Sequence, residues 1–343
     1  MRRRGPRVLC LSAAVLTGSL AVACASAARA GGARDEEPLA VRRLAEGVYA
    51  VPGDSGRGSE GRANAGFVVT GDGVLVVDAL ASPAQGRRLV AAVGSVTPLP
   101  IRWLVLTHHH PDHHFGAAVL RERGARVLAH PNRSTLAGED GEDTLLRAWS
   151  ELVGEEEMRG FAFADVPDVP VTADTAIETG GRRVELLFAG RAHTPGDVAV
   201  WLPGARVLFA GDLLIEDGVS MVADGDSGVL LEALERLEGL GARTVVPGHG
   251  RISEDPPALF ERTRHYVEGL RTRMRQALRT GESLNDVVAR MPAADPERPV
   301  SRPARERRNA VRVYLEMERE FMGLDPLVDP DATEAGSGAP PAR

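Results

Sequence analysis

The sequence has no lysine, few aromatic residues and only two cysteines. All 41 basic residues are arginines, and the aromatics are 8 Phe, 3 Tyr and 3 Trp among 343 residues. Both cysteines, Cys10 and Cys24, lie in the first 30 residues. The rest of the chain therefore offers no cysteine for an internal disulfide or for nucleophilic catalysis. It also lacks a basic stripe with interleaved aromatics, which argues against a nucleic-acid partner.

The composition is otherwise close to the average for globular proteins. Hydrophobic residues make up 43% of the chain and charged residues 26%. These values exclude a disordered chain, a collagen-like chain and a membrane protein with several spans. The length allows one large domain or two small ones with ample hydrophobic core.

The first 30 residues are typical of an export signal. Four arginines precede the uncharged apolar stretch Val8–Ala23, and Ala28-Arg29-Ala30 is an A-x-A cleavage sequence. Cys24 follows a lipobox-like sequence, so the alternative is a lipoprotein signal that ends before Cys24 and attaches the chain to a membrane through lipid. We therefore expect an exported protein, periplasmic or lipid-anchored to the bacterial envelope. Residues 31–38 would be a linker.

Cleavage of this signal would make the protein more acidic. Residues 1–30 contain five arginines and no acids, so their removal moves the formal charge from −7 to −12. Such a chain would repel nucleic acid, and a small molecule is the expected partner. The sequence leaves the oligomeric state open.

From residue 41 to residue 250, short strands alternate with helices. The predicted strands are rich in Val and Leu and bounded by Gly, Pro or Asp: Gly47–Val51, Gly66–Thr70, Gly73–Asp78, Ile101–Thr107, Arg126–His130, Arg183–Phe188, Val198–Leu202, Arg206–Ala210 and Thr244–Val246. The predicted helices of this region are Pro83–Val93, His114–Glu122, Asp143–Val153 and Ser227–Leu240. This alternation indicates an α/β protein.

After residue 254, the alternation of short strands and helices gives way to charged helical segments. Pro257–Arg279, Leu284–Arg290 and Arg302–Gly323 are charged and have helical spacing. We expect a helical C-terminal extension over residues 255–324 that covers one face of the protein. Residues 325–343 have no periodicity and are predicted to be a disordered tail.

The most informative segment is Leu104–His114, in which an apolar strand leads into five histidines and one aspartate. Side chains alternate along a strand, so His108 and His110 should face the same side. Pro111 ends the strand and places Asp112 and His113 at the start of a helix. This arrangement could direct two imidazoles to one metal ion, and a carboxylate with an imidazole to a second. A histidine tract that binds metal weakly or not at all is the alternative.

Three more polar residues lie in loops that follow or join apolar runs. His193 lies in the turn Ala192–Asp197, Asp212 ends the strand that contains Phe209, and His249 lies between two glycines. Sites are commonly built from such loops. Glycine beside Asp212 and His249 allows close approach of the backbone.

Thr107-His108-x-His110-x-Asp112-His113, followed by His193, Asp212 and His249, resembles the metallo-β-lactamase superfamily. The resemblance covers roughly residues 41–250 and implies a domain at 39–254 with an αβ/βα four-layer sandwich, two mixed β-sheets flanked by helices. It implies that His108, His110 and His193 bind a first zinc ion and that Asp112, His113 and His249 bind a second, with Asp212 bridging.

The resemblance also implies supporting roles and a reaction. Asp78 would fix the ligand loop, and Thr194 and Asp197 would steady the turn of His193. A hydroxide held by two zinc ions would attack an ester, thioester, lactone or β-lactam carbonyl, and Asp112 would orient it or move its proton. Iron or manganese would also suit these ligands.

Within the superfamily, Asp212 stands where subclasses of β-lactamases carry Cys or Ser. The chain is most similar to exported hydrolases named for quinoprotein relay systems and thiosulfate-oxidation clusters. The segments that carry this similarity are Asn64–Val69, Leu208–Leu214 and Arg308–Val311.

Two other functions remain open at this point. A mononuclear iron persulfide dioxygenase of the same fold would use His108, His193 and Asp212 alone. A non-enzymatic metal-binding protein is the third possibility. Loops Asp54–Arg62 and Leu136–Met158 are expected to shape access to the site. The remaining histidines, His109, His114, His130 and His265, are interpreted as supporting or exposed residues.

Overall fold

The computed structural model describes residues 38–53, 62–132, 139–164, 166–216, 218–293 and 301–324. The predicted export signal, both cysteines and the predicted C-terminal tail lie outside these residues. Among the described residues, no helix combines the length and the apolar character needed to cross a bilayer.

The described residues form two mixed β-sheets. The first sheet has the order β1 (Arg42–Ala45), β2 (Val48–Val51), β3 (Ala65–Val69), β4 (Val74–Val77), β5 (Ile101–Val105), β6 (Arg126–Ala129), β7 (Val169–Pro170). The second has the order β12 (Thr244–His249), β11 (Val207–Ile215), β10 (Asp197–Leu202), β9 (Arg182–Gly190), β8 (Thr175–Thr179). Pairing is antiparallel through β1–β4 and β8–β11, and parallel through β4–β7 and between β11 and β12.

Helices cover the outer faces of both sheets. The helices in chain order are α1 (Pro83–Gly94), α2 (Pro111–His114), α3 (Ala117–Glu122), α4 (Glu139–Val153), α5 (Ser227–Glu238), α6 (Pro256–Arg279), α7 (Leu284–Ala289) and α8 (Arg302–Met322). Helices α1 and α3 share a buried apolar cluster with the first sheet, and α5, α6 and α8 share another with the second. A third cluster, which includes Val77, Val105 and Val200, fills the space between the sheets. The predicted αβ/βα sandwich is confirmed.

The C-terminal helices are part of the hydrophobic core. Val267 and Leu270 of α6 and Val313 and Met317 of α8 are buried in the same cluster as Leu208 of the second sheet. They cover this face, as the sequence suggested. The proposed boundary at residue 254, like the other domain limits, stays a prediction.

Several local predictions were wrong. The strand predicted over Thr244–Val246 continues to His249, so His249 lies in a strand and not in a loop. The strand at residue 101 ends at Val105 instead of Thr107. The helix predicted over His114–Glu122 is two helices, because the chain turns at Gly116, where a Cβ would overlap the carbonyl oxygen of Ala79. The strand predicted over Arg206–Ala210, with Asp212 at its end, is β11, which continues to Ile215 through an irregularity at Gly211, whose φ is 52°.

Candidate metal centre

The histidine-rich segment leaves the first sheet between β5 and α2. His108 and His110 lie in a loop, so strand alternation is the wrong reason for their common direction, although their ring centroids are 4.8 Å apart. Pro111 occupies the first turn of α2, where its missing N–H costs nothing. The short helix then turns Asp112 and His113 back toward the end of the sheet.

The structure brings all seven predicted ligands into two adjoining groups. Within each group, the potential ligand atoms lie within 4.8 Å of one another. The first group is His108, His110, His193 and Asp212, and the second group is Asp112, His113 and His249. Six of these seven side chains are buried, and His110 is half-buried.

Asp212 lies between the two groups. Its Oδ1 is 3.2 Å from Nε2 of His113 in the second group, and its Oδ2 is 3.5 Å from Nε2 of His193 in the first. One carboxylate oxygen thus faces each group. This is the placement that a bridging ligand requires.

The chemistry of these atoms fits metal ions. Within the two groups, five buried atoms have no hydrogen bond of acceptable geometry to the described residues: Nε2 of His108, His113 and His249, Oδ2 of Asp112 and Oδ1 of Asp212. Buried polar atoms are nearly always satisfied, and leaving one unsatisfied costs about 1–3 kcal/mol. Imidazole and carboxylate donors that crowd together in this way suit zinc, and also iron or manganese.

Asp78 anchors the histidine loop from the end of β4. Its Oδ1 accepts a hydrogen bond from the Thr107 backbone N–H at 2.8 Å, and its Oδ2 is 2.8 Å from Nδ1 of His113. The Thr107 hydroxyl donates to Oδ2 at 2.9 Å and lies 3.0 Å from Nδ1 of His108. These contacts engage the Nδ1 side of both rings and leave Nε2 directed at the site. The position predicted for Asp78 therefore agrees with a supporting role.

Two further partners were missed by sequence reasoning. Asp224 places its Oδ2 3.2 Å from Nε2 of His110, and the carbonyl oxygen of Met221 is 2.8 Å from Nδ1 of His193. Both belong to the loop between β11 and α5. Neither residue lies in a motif near its histidine, since each pair is separated by 28 or more positions.

Asp197 fixes the turn that carries His193. Its Oδ2 accepts hydrogen bonds from the backbone N–H groups of Ala192, His193 and Thr194 at 3.2, 2.7 and 2.9 Å. Its Oδ1 accepts a bond from the Thr194 hydroxyl at 2.7 Å. The turn is thus held from within, as expected for Thr194 and Asp197.

A third partner of the site, Asn64, holds the loop of His249. Its side-chain N–H₂ donates to the carbonyl oxygens of Pro247 and Gly250 at 2.8 and 2.9 Å. These two residues lie before and after His249 in the sequence. Its Oδ1 accepts from the Gly53 N–H at 2.7 Å. The sequence suggested no role for this residue beyond a family likeness.

Burial and mutual contacts set the charges at the site. Burial and the neighbouring His113 hold the pKa of His108 well below its ordinary value, which favours the neutral, metal-binding form. Burial would raise the pKa of Asp212, but His249 and His113 hold it well below its usual range. Likewise, the hydrogen bond to His110 outweighs burial and lowers the pKa of Asp224 to about 2.

The other histidines lie outside the two groups. His109 is half-buried, and His114 is buried beside Phe115, with a centroid distance of 4.8 Å. His130 stacks on Phe188 at 4.8 Å, and His265 is exposed on α6. The predicted access loops fall partly outside the described residues, and the described part of the second is mainly α4.

Comparison with protein families identifies one match. The model described as "Metallo-beta-lactamase superfamily" matches residues 58–249, which is more than half of the chain. The match begins before β3 and ends at His249, so it includes all seven residues of the two groups.

Individual proteins with related sequences carry hydrolase names. A metallo-beta-lactamase type 2 from Bacillus cereus is 25% identical over 54% of this chain and 66% of its own length. A hydroxyacylglutathione hydrolase from Rhodobacter capsulatus is 28% identical over 43% of this chain and 49% of its own. The chain thus spans about half to two thirds of these relatives.

A solved structure supports the same fold. The crystal structure of a metallo-beta-lactamase family protein from Thermus thermophilus aligns with a TM-score of 0.61 and 22% identity. The alignment covers 82% of this chain and 95% of that one. It therefore extends beyond the 192 residues that the family model matches.

Proposed function

Because this chain belongs to the metallo-β-lactamase superfamily, we propose that it is an exported hydrolase that uses two zinc ions to cleave an ester, thioester, lactone or β-lactam bond. The observation that carries this proposal is the pair of adjoining ligand groups with Asp212 between them. A hydrolase with two metal ions needs two such groups and a shared ligand.

The two groups of residues would each bind one zinc ion. His108, His110 and His193 would hold one ion, and Asp112, His113 and His249 the other. Zinc bound there would lower the pKa of water toward ~7 and polarise the carbonyl of the substrate. The buried surroundings of these side chains strengthen every electrostatic contact with a substrate.

Asp112 is the best candidate for a proton-transfer residue. Burial would raise its pKa, but His113 and His249 outweigh burial and keep the pKa below its ordinary value. Its Oδ2 lies 2.9 Å from Nε2 of His249. An ionised carboxylate at this position can orient the attacking water and accept its proton.

The names of the relatives guide the choice of substrates. One relative is named for β-lactams and another for hydroxyacylglutathione. We therefore propose a broad panel that contains an ester, a thioester, a lactone and a cephalosporin. Asp212 in place of Cys or Ser favours the first three over the last.

The test combines metal analysis with this panel, using protein purified after expression of the full-length chain. We expect about two zinc ions per chain and hydrolysis of at least one substrate. His193→Ala should lose metal and activity, whereas His265→Ala, a change at an exposed histidine outside the site, should lose neither. One iron per chain with oxygen consumption would replace the proposal by a dioxygenase. Metal binding without any turnover would favour a binding protein.

Export has its own test. The mass and N-terminal sequence of the protein recovered from a bacterial host should show a chain that begins at Gly31 or at a lipid-modified Cys24. Recovery of the uncleaved chain from the cytoplasm would contradict export and leave the hydrolase proposal intact.

A further inference from the structure

Residues of the loop between β11 and α5 form hydrogen bonds with two histidines of the first group, His193 and His110. The Met221 carbonyl oxygen accepts from His193, and Asp224 bonds to His110. The loop is also tied to the His193 turn, because the Asp226 N–H donates to the Ala192 carbonyl at 3.1 Å. The position of this loop therefore sets the orientation of two imidazoles.

The loop is held from the C-terminal helix α8. Oδ1 of Asn309 accepts from the Val222 N–H at 2.9 Å, and its N–H₂ donates to the Ser220 carbonyl at 2.8 Å. The second hydrogen of the same N–H₂ is directed at the Tyr266 hydroxyl, 2.9 Å away. Asn309 is completely buried and fully hydrogen-bonded. Its two loop contacts lie on either side of Met221.

A second residue of α8 holds the far end of the loop. The Glu316 carboxylate accepts from the Ser227 N–H at 3.2 Å and also from its hydroxyl, where α5 begins. Glu316 and Asn309 lie two helical turns apart on the buried face of α8. The helix thus fixes the loop before and after the residues that contact the histidines.

We propose that Asn309 is a positioning residue for the first metal group, acting through Met221 on His193. This inference rests on the proposed function. By bonding residues 220 and 222, Asn309 fixes the carbonyl between them, which accepts the Nδ1–H of His193. Nε2 of His193 is then the unprotonated nitrogen and is directed at the metal position. Loss of such an outer partner commonly weakens metal binding by about 10–100-fold.

Asn309 lies in a segment that the family match does not include. The family model ends at residue 249, whereas Asn309 lies 60 positions later on α8. The C-terminal extension would then act on the metal centre as well as covering the second sheet.

The test measures Zn²⁺ affinity of the full chain by competition with a chromophoric chelator. For Asn309→Ser, we expect the first-group affinity to fall about 10–100-fold. The matched control is Tyr314→Phe, which also removes one α8 hydrogen bond, from the Tyr314 hydroxyl to the Glu282 carbonyl, away from the loop. This control should keep wild-type affinity even where its unfolding free energy falls.

Two results would contradict these proposals, and each overturns a different one. Wild-type Zn²⁺ affinity in Asn309→Ser, together with lowered stability, would overturn the inference, because Asn309 would then only pack the helix. If this variant does not fold, Asn309→Asp is tested by the same criterion, because it keeps the acceptor for Val222 and removes the bonds that the side-chain N–H₂ donates to Ser220 and Tyr266. Absence of zinc binding by the wild-type chain would instead overturn the proposed function.

Discussion

Gly248 and Asp212 are packed so closely that the site requires glycine at position 248. A Cβ built on Gly248 would overlap Oδ1 of Asp212. On the other side, a Cβ on Gly211 would lie 2.8 Å from Cβ of Thr107. The Asp212 carboxylate therefore occupies a space that exists because Gly248 has no side chain, and the absence of a side chain at Gly211 leaves room for Thr107.

Gly248→Ala should displace the Asp212 carboxylate and weaken both metal groups. We expect the bound zinc to fall well below two ions per chain and hydrolysis to fall at least tenfold. Gly204→Ala, at a turn where no atom lies within 4 Å of the added Cβ, is the control. Equal metal content in both variants, measured by elemental analysis, would refute the steric argument.

The convergence of the seven residues of the two groups could be predicted because each has a local signal. Each lies where an apolar run meets Pro or Gly, as with Pro111 before Asp112 and Gly248 before His249. At Gly211 the same signal gave a wrong strand end, because the glycine was interpreted as the end of the strand, whereas β11 continues through it to Ile215. Hydrophobic alternation shows where a strand exists, but tertiary pairing decides how far it continues.

The residues that support the ligands were harder to find. Asp224 contacts His110, which is 114 positions away, and Asn309 contacts Val222, which is 87 positions away. The sequence around Asp224 and Asn309 does not indicate these contacts. Strand β8 was missed because it is an edge strand with mostly exposed side chains, and β7 because it has two residues. Such features depend on the packed fold rather than on local pattern.

Asp78→Asn should lower metal affinity while leaving the backbone in place. Asp78 has a φ of 61°, a conformation that asparagine tolerates. The amide oxygen can still accept from the Thr107 N–H. The amide nitrogen that replaces Oδ2 cannot accept from the Thr107 hydroxyl or from Nδ1 of His113. We expect Zn²⁺ affinity to fall about 10–100-fold in a chelator competition. Asp72→Asn, in a turn where Asp72 accepts from the Thr70 hydroxyl, should bind zinc normally.

Metal removal should destabilise the folded protein. The two groups exist only in the folded chain, so an ion bound there stabilises it by mass action. At free zinc 100-fold above the dissociation constant, the gain is about 2.7 kcal/mol per site. The Tm should fall after treatment with a chelator and recover on addition of zinc. His193→Ala should respond less, and an equal response would argue that the zinc binds elsewhere.

Asp197→Asn should destabilise the turn of His193. The carboxylate accepts three backbone N–H bonds and one hydroxyl bond, all buried. Hydrogen bonds to a charged group contribute about 1.5–3 kcal/mol each, and an amide can replace only some of them. We expect the free energy of unfolding in urea to fall by roughly 2–4 kcal/mol. Thr194→Val, which removes a single bond, should cost less, and the reverse order would contradict this account.

Asn64→Asp should weaken the second metal group and spare the first. The new carboxylate can still accept from the Gly53 N–H, but it cannot donate to the carbonyl oxygens of Pro247 and Gly250. Those carbonyls would face a negative charge, so the segment that carries His249 should shift.

In a Zn²⁺ titration against a competing chelator, one binding step of Asn64→Asp should weaken about tenfold while the other step is unchanged. Asn309→Ser should show the opposite selectivity, because Asn309 acts on the loop behind His193. If both variants weaken the same step, the two groups do not bind separate ions, and a single shared ion would explain the geometry better.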